Sequence, residues 1–155
     1  MIPELGHFAL ILALALATVQ AVFPLIGSYN RRQSWMAMAR PLVWGQFTFL
    51  LIAFACLLQA FLSDDFSVAY VAHNSNTLMP TMYKISAVWG AHEGSLLLWG
   101  LMLGGWGAAI AAFSRNLPEQ VVARVLSVMG MVSIGFLLFM LLTSNPFDRL
   151  LNAPA

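Results

Sequence analysis

One segment of the chain combines aromatic, imidazole and carboxylate side chains at helical spacing. Trp89, His92, Trp99 and Trp106 follow one another at intervals of three and seven residues, so a continuous helix would place them on one stripe. Glu93 lies four residues after Trp89 and would border that stripe. Such a face could hold a flat amphipathic ligand at a membrane surface. The alternative is an interfacial aromatic belt, in which tryptophan lies at the lipid headgroups because its ring is amphipathic.

Metal chemistry has little support in this segment. His92 and Glu93 are adjacent, so on a helix their side chains project about 100° apart and cannot chelate one ion as a pair. The zinc-protease signature needs a second histidine four residues on, where the chain has Leu96. Haem ligation by His92 would need a second ligand, and the sequence cannot place His7 or His73 beside it. We therefore predict no metal site, and each histidine is interpreted as a free or hydrogen-bonded surface side chain.

Glycines bear on how this part of the chain is built. Gly90 and Gly94 disfavour a helix that runs on from Trp89, because each costs about 1 kcal/mol relative to alanine. Gly100 and Gly104 form a Gly-xxx-Gly pair, which predicts close approach of another helix. That helix would belong either to the same bundle or to another subunit.

The composition indicates the environment in which these residues work. Of the residues 61% are hydrophobic and only 8% are charged, and the mean hydropathy is +0.83. Lipid favours such an apolar exterior, whereas a soluble domain would need far more charge on its surface. Seven basic residues in the whole chain provide no patch able to bind nucleic acid. The single cysteine, Cys56, lies in an apolar run and is interpreted as a small buried hydrophobic residue.

Four apolar stretches are long enough to cross a membrane, which takes about 20 residues in helical form. We predict an all-α, polytopic membrane protein made of a single transmembrane module. Its spans are expected at residues 5–27, 42–62, 95–113 and 122–143, with one long polar loop over residues 63–94 between the second and third. The spans contain no charged residue at depth, which disfavours a pump or a secondary transporter.

The basic residues predict the orientation, because Lys and Arg near helix ends stay on the cytoplasmic side. Five of the seven basic residues fall on one side of the predicted membrane: Arg31, Arg32, Arg40, Arg115 and Arg124. Both termini and the long loop are therefore expected outside, in the periplasm if the source is a Gram-negative bacterium.

Several short motifs, in order and spread over nearly the whole chain, resemble the cytochrome c assembly proteins of the CcmF type. The paralogous NrfE, associated with nitrite reductase, is the close alternative. The motifs are Ile2-Pro3-Glu4-Leu5-Gly6-His7, Asn74-Ser75-Asn76, Leu78-Met79-Pro80, Tyr83-Lys84, the segment from Trp89 to Trp99, Ser144-Asn145-Pro146-Phe147 and Arg149-Leu150.

The resemblance implies a part in the haem lyase of the bacterial cytoplasmic membrane. Proteins of this type take haem from the chaperone CcmE and work with CcmH-type and CcmI-type subunits. They join the haem vinyl groups to the thiols of a Cys-x-x-Cys-His motif in apocytochrome c, on the outer side of the membrane. Haem b serves the full-length family as substrate or cofactor.

The chain also departs from the family. Family members are much longer, and their tryptophan-rich haem-handling motif and haem-ligating histidines have no match here. We therefore expect an amino-terminal portion that by itself neither holds haem tightly nor catalyses. The alternative is a structural scaffold or transporter-type module without haem chemistry.

Two groups of outer-loop residues are the candidates for function. The haem or partner surface is assigned to Trp89, His92, Glu93 and Trp99. Asn74, Asn76 and Lys84 are expected either to fix the loop by hydrogen bonds or to contact haem propionates.

Overall fold

The computed structural model describes residues 2–30, 33–63, 68–74, 76, 78, 80–90, 92–114, 116–142 and 146–147. Within these residues the chain forms seven helices. They are α1 (Ile2–Asn30), α2 (Gln33–Ala37), α3 (Ala39–Leu62), α4 (Ala69–Asn74), α5 (Thr81–Gly90), α6 (His92–Phe113) and α7 (Glu119–Leu142).

Four helical segments are long and apolar enough to cross a membrane: Glu4–Asn30, Ser34–Leu62, which combines α2 and α3, Gly94–Phe113 and Gln120–Leu142. The prediction of an all-α membrane protein with four spans is confirmed. Helices α1, α3, α6 and α7 each begin three residues before the predicted apolar stretch. They begin at residues 2, 39, 92 and 119, whereas the predicted stretches begin at residues 5, 42, 95 and 122. Hydropathy marks only the apolar part of a helix, whereas a first turn tolerates proline and favours acidic residues.

The four long helices form an antiparallel bundle. Helix α1 contacts α3 and α7, and α6 contacts the same two helices from the other side. The shared core near one end of the bundle includes Leu10, Leu50, Leu57 and Leu137, which are almost completely inaccessible to solvent. Cys56 is buried in this core.

The packing of α1 against α7 depends on small residues. Ala9, Ala13, Ala17 and Ala21 recur every four residues along α1, and all are buried. Gly130 of α7 lies against this alanine stripe: a Cβ added there would be 3.1 Å from the Ala17 carbonyl oxygen and 3.1 Å from the Ala21 nitrogen. Such small-residue contacts let two membrane helices approach closely.

One end of the bundle, which we call the arginine end, is held by polar contacts. Arg124 of α7 donates from Nε to the Ser28 hydroxyl of α1 at 3.1 Å, and Gln120 Nε2 donates to the Ser28 carbonyl at 2.9 Å. Arg40 of α3 donates to the carbonyl oxygen of Ser114 at 3.3 Å. Arg40 and Arg124 therefore lie at the same end. Arg31, Arg32 and Arg115 lie outside the described residues.

The other end, which we call the capped end, is covered by the chain between α3 and α6. Helix α5 packs against α3 and α6. Tyr70 and Val71 of α4 and Val88 of α5 are buried in the same core as Phe61 and Leu97. The long polar loop of the prediction thus contains helical structure that closes one end of the bundle.

A contact between Gly6 and Phe147 joins the beginning of α1 to the chain beyond α7. A Cβ added at Gly6 would lie 2.5 Å from Cε1 of the Phe147 ring and 3.0 Å from the Cβ of Cys56. Phe147 is itself buried in the core, at 5% exposure. Only glycine at position 6 leaves room for the aromatic ring.

We expect Gly6→Ala to destabilise the protein by about 1–3 kcal/mol, because the Phe147 ring is enclosed and cannot move aside without loss of packing. Denaturant unfolding of the purified protein in detergent measures this change. Gly135→Ala is the matched control, since a Cβ there meets no atom within 4 Å, and it should be neutral or slightly stabilising through helix propensity. Equal stability of the two variants would contradict the expected contact.

Candidate functional site at the capped end

The segment from Trp89 to Trp99 is divided between two helices. Helix α5 ends at Gly90 and α6 begins at His92. A Cβ added at Gly94 would overlap the Val88 carbonyl oxygen and lie 2.8 Å from its carbon. In a straight helix residues six apart are separated by about 9 Å along the axis, so the chain turns sharply between Val88 and Gly94.

This break changes the proposed aromatic stripe. The stripe requires one helix from Trp89 through Trp106, and the turn before Gly94 removes that continuity. Trp99 and Trp106 remain together on α6, seven residues apart and 63% and 67% exposed. The side chains of Trp89, His92 and Glu93 lie outside the described residues; Trp89 is near the end of α5, and the other two open α6.

Tyr70 bonds to the end of α5 beside this turn, and its part in the site was not predicted from the sequence. Its hydroxyl donates to the carbonyl oxygen of Val88 at 3.0 Å, with the Ala87 carbonyl at 3.3 Å as a second acceptor. Its ring packs edge-on against Phe61, with the ring centroids 5.4 Å apart. The available signal was a short apolar run, from Val68 to Ala72, inside the predicted polar loop.

The candidate loop residues have different surroundings. Lys84 is buried at 8% exposure and takes part in an interaction. Asn76 is exposed, and its Oδ1 accepts a hydrogen bond from the Leu78 nitrogen at 2.9 Å, an arrangement that stabilises a local turn. Asn74 is the last residue of α4, and its side chain lies outside the described residues.

An apolar groove opens beside Trp99 on the outer surface of the bundle. Near the capped end it has a volume of about 430 Å³ and is lined by Ser95, Leu96, Trp99 and Phe136. It continues along α7 as a depression of about 500 Å³, lined by Leu96, Val132, Gly135, Phe136 and Phe139. Chemically, this surface suits an apolar ring, an acyl chain or another helix.

The two glycines predicted to allow close packing both face helices of this bundle. A Cβ added at Gly100 would lie 3.6 Å from Cε of Met140 on α7. At Gly104 the same measurement gives 3.1 Å to Cδ1 of Leu50 and 3.7 Å to the Cα of Phe47, both on α3. These positions are consistent with packing within the bundle.

The described residues include no group of three His, Cys, Asp or Glu side chains that could hold a metal ion. His7, at the beginning of α1, is the one histidine whose side chain is described, and it is half-buried.

Described residues from four of the motifs that carry the family resemblance lie together at the capped end. Gly6 from the first motif touches Phe147 from the last. The buried Lys84 belongs to α5, which packs on α3 and α6, and α6 begins within the motif from Trp89 to Trp99. Segments far apart in the sequence thus form one continuous part of the molecule.

The fold defines a class: a polytopic membrane protein whose recognisable motifs are gathered over one end of a four-helix bundle. No family model matches the chain. The cytochrome c-type biogenesis protein CcmF of Pseudomonas aeruginosa is 67% identical over 151 residues, 97% of this chain and 23% of that protein. NrfE of Haemophilus influenzae is 40% identical over 155 residues, 100% of this chain and 24% of that protein. A solved cytochrome c heme lyase CcmF superposes with a TM-score of 0.91 at 31% identity, over 99% of this chain and 26% of that one.

The chain belongs to the CcmF/NrfE family of cytochrome c-type biogenesis proteins. The resemblance found in its motifs is confirmed. The chain spans about a quarter of the length of the relatives that it matches.

Proposed function

We propose that the chain supplies the membrane module of a cytochrome c haem lyase, and that its capped end forms part of the surface where haem or a partner protein is received. The observation that carries this proposal is the meeting of the family motifs at one end of the bundle, in a fold shared with a cytochrome c heme lyase at a TM-score of 0.91. The CcmF form is favoured over NrfE, since the identities are 67% and 40% for the two relatives compared.

The proposed orientation places the capped end in the periplasm and the arginine end in the cytoplasm of a bacterial inner membrane. Arg40 and Arg124 both lie at the arginine end, and cytoplasmic helix ends are those that carry Lys and Arg. Haem attachment to apocytochrome c takes place on the periplasmic side, which agrees with this orientation.

In the proposed reaction haem arrives from CcmE, and CcmH-type or CcmI-type subunits help present the apocytochrome c. Each thiol of the Cys-x-x-Cys-His motif adds across one haem vinyl group: sulfur bonds to one vinyl carbon, and the thiol proton goes to the other. No redox change is needed for this addition. The chain's contribution is a surface for haem or a partner, formed by Trp89, His92, Glu93 and Trp99.

The described residues are better suited to packing against the edge of the haem ring than to ligating its iron. Trp99 and Phe136 line an apolar groove that begins beside the capped end, and aromatic side chains pack well against a flat ring. The half-buried His7 of α1 already takes part in an interaction. We therefore propose that this module contacts haem without holding it tightly, and that catalysis requires other parts of the lyase.

A chimera tests the proposed function. Residues 1–155 would replace the matching segment of Pseudomonas aeruginosa CcmF in a strain lacking its own protein, and membranes would be stained for covalently bound haem. Trp89→Ala and His92→Ala are each expected to lower haem staining about fivefold, the effect of truncating a side chain that contributes about 1 kcal/mol to a contact surface. The chimera should remain at its normal level by immunoblot.

Trp44→Ala is the matched control, because Trp44 is 46% exposed on α3 and lies away from the capped end. It should leave haem staining unchanged. If the Trp89 and His92 variants lower staining only in proportion to the amount of protein, the module is a scaffold and the proposed contact surface is wrong.

A further inference from the structure

The hydroxyl of Tyr70 donates to helix-end carbonyl groups, which have no N–H donor within their own helix. The last four carbonyl groups of a helix lack intrahelical donors, and α5 ends at Gly90. Tyr70 reaches this last turn from α4 and donates to Val88 at 3.0 Å, with Ala87 at 3.3 Å. A side chain from another helix thus supplies a donor to the last turn of α5.

The same hydroxyl also touches the beginning of α6. A Cβ added at Gly94 would overlap the Tyr70 oxygen as well as the Val88 carbonyl oxygen. Trp89 to Glu93 are the five residues between Val88 and Gly94, so Tyr70 contacts the chain immediately before and immediately after them. One side chain therefore bonds to the chain before the candidate segment and lies against the chain after it.

Burial makes this arrangement depend on the hydroxyl group itself. Tyr70 is 4% exposed, and its ring is fixed against Phe61, which is completely buried. A buried tyrosine hydroxyl needs a hydrogen-bond partner, and a buried carbonyl left without a donor is costly. Removing the oxygen alone would leave the ring packed while releasing the end of α5.

We propose that Tyr70 is a positioning residue: its hydroxyl holds the end of α5, which carries Trp89, beside the beginning of α6, which carries His92. This inference rests on the proposed function, because it assumes that these two residues contact haem or a partner. Tyr70 itself acts through the turn and need not touch haem.

Hydrogen exchange followed by mass spectrometry tests the structural step. In the detergent-solubilised protein, Tyr70→Phe should raise the exchange rate of amides 89–94 about threefold to tenfold, as expected for the loss of one hydrogen bond. Peptides from α1 and α7 should be unchanged. Tyr83→Phe makes the same chemical change at a side chain that is 66% exposed on α5, and it should have no effect. Unchanged exchange at 89–94 in Tyr70→Phe would overturn the proposal.

Haem staining of the chimera tests the functional step. Tyr70→Phe should lower staining about threefold at constant protein level, because the variant loses one hydrogen bond. Replacing Tyr70 with p-aminophenylalanine keeps the ring and a donor group and should restore staining, which general loosening of the core would not explain.

The outcomes separate the two proposals. Faster exchange without any loss of staining in Tyr70→Phe would overturn the positioning role. If Trp89→Ala and His92→Ala lower staining in that case, the proposed function stands without it. If they too leave staining unchanged, the proposed surface fails as well.

Discussion

Gly94→Ala is expected to disrupt the capped end and to remove nearly all haem attachment by the chimera. The added methyl group would overlap the Val88 carbonyl oxygen and the Tyr70 hydroxyl, and it would lie 2.8 Å from the Val88 carbonyl carbon. Two of these atoms belong to the backbone of α5, so no side-chain rotation relieves the overlap. The first turn of α6 must instead move away from α5.

The expected cost is about 3 kcal/mol, the upper part of the range for overpacking. Because 1.4 kcal/mol already corresponds to a factor of ten, haem staining should fall at least about tenfold. Hydrogen exchange should accelerate over residues 86–96, whereas peptides from the arginine end should keep their protection.

Gly90→Ala is a demanding control for Gly94→Ala. The two glycines are four residues apart in the same motif, yet a Cβ at Gly90 meets no atom within 4 Å. Gly90→Ala should retain haem staining and the exchange pattern of the unmodified protein. Normal staining in Gly94→Ala would show that α5 and α6 do not meet as closely as described.

Gly130→Leu is expected to have the second large effect, on the stability of the bundle itself. At Gly130 even a Cβ would lie 3.1 Å from backbone atoms of Ala17 and Ala21 and 3.3 Å from the Ala21 Cα. Leucine adds three more carbons, which must separate α1 from α7 because neither backbone can yield locally. We expect a loss of about 3 kcal/mol or more of unfolding free energy, measured with denaturant in detergent.

Gly135→Leu makes the same substitution on the same helix. A Cβ at Gly135 has no neighbour within 4 Å, so this variant should differ little in stability from the unmodified protein. Comparable losses in the two variants would mean that leucine disturbs α7 in general, and that the contact between Gly130 and the alanine stripe does not determine the effect.

Much of the fold could be predicted because the membrane imposes it. About 20 consecutive apolar residues have few alternatives to a spanning helix, and all four spans were located this way. The helical content of the long loop could not be predicted, because α4 has six residues and α5 ten, and such short helices are stabilised mainly by tertiary packing. Gly90 and Gly94 did indicate that a helix would not run through this segment.

Packing partners were harder to predict than packing residues. The Gly-xxx-Gly spacing directed attention to Gly100 and Gly104, whereas the contact of Gly130 involves alanines far away in the sequence. Alanine every fourth residue is a weak signal in a helix that is mostly apolar. The stronger local signal for the face of α1 that meets α7 is Gln20, a polar residue inside the span, whose Nε2 donates to the Leu126 carbonyl oxygen at 2.6 Å.

The candidate site shows a similar division. The motif from Trp89 to Trp99 could be recognised from residue types and order, which also gave the family. Tyr70 could not be assigned a role, because its partners are backbone carbonyls 17 and 18 residues away and carbonyl groups carry no sequence signal. The groove beside Trp99 could not be predicted either, because one of its lining residues, Phe136, comes from a different helix.

The contact between Gly6 and Phe147 has a consequence for biosynthesis. Gly6 lies at the beginning of the first span, and the ring that covers it is translated only after the fourth span. Until Phe147 has been made, the surface around Gly6 and Cys56 lacks the ring that covers it. Closure of the capped end therefore reports that all four spans have been inserted.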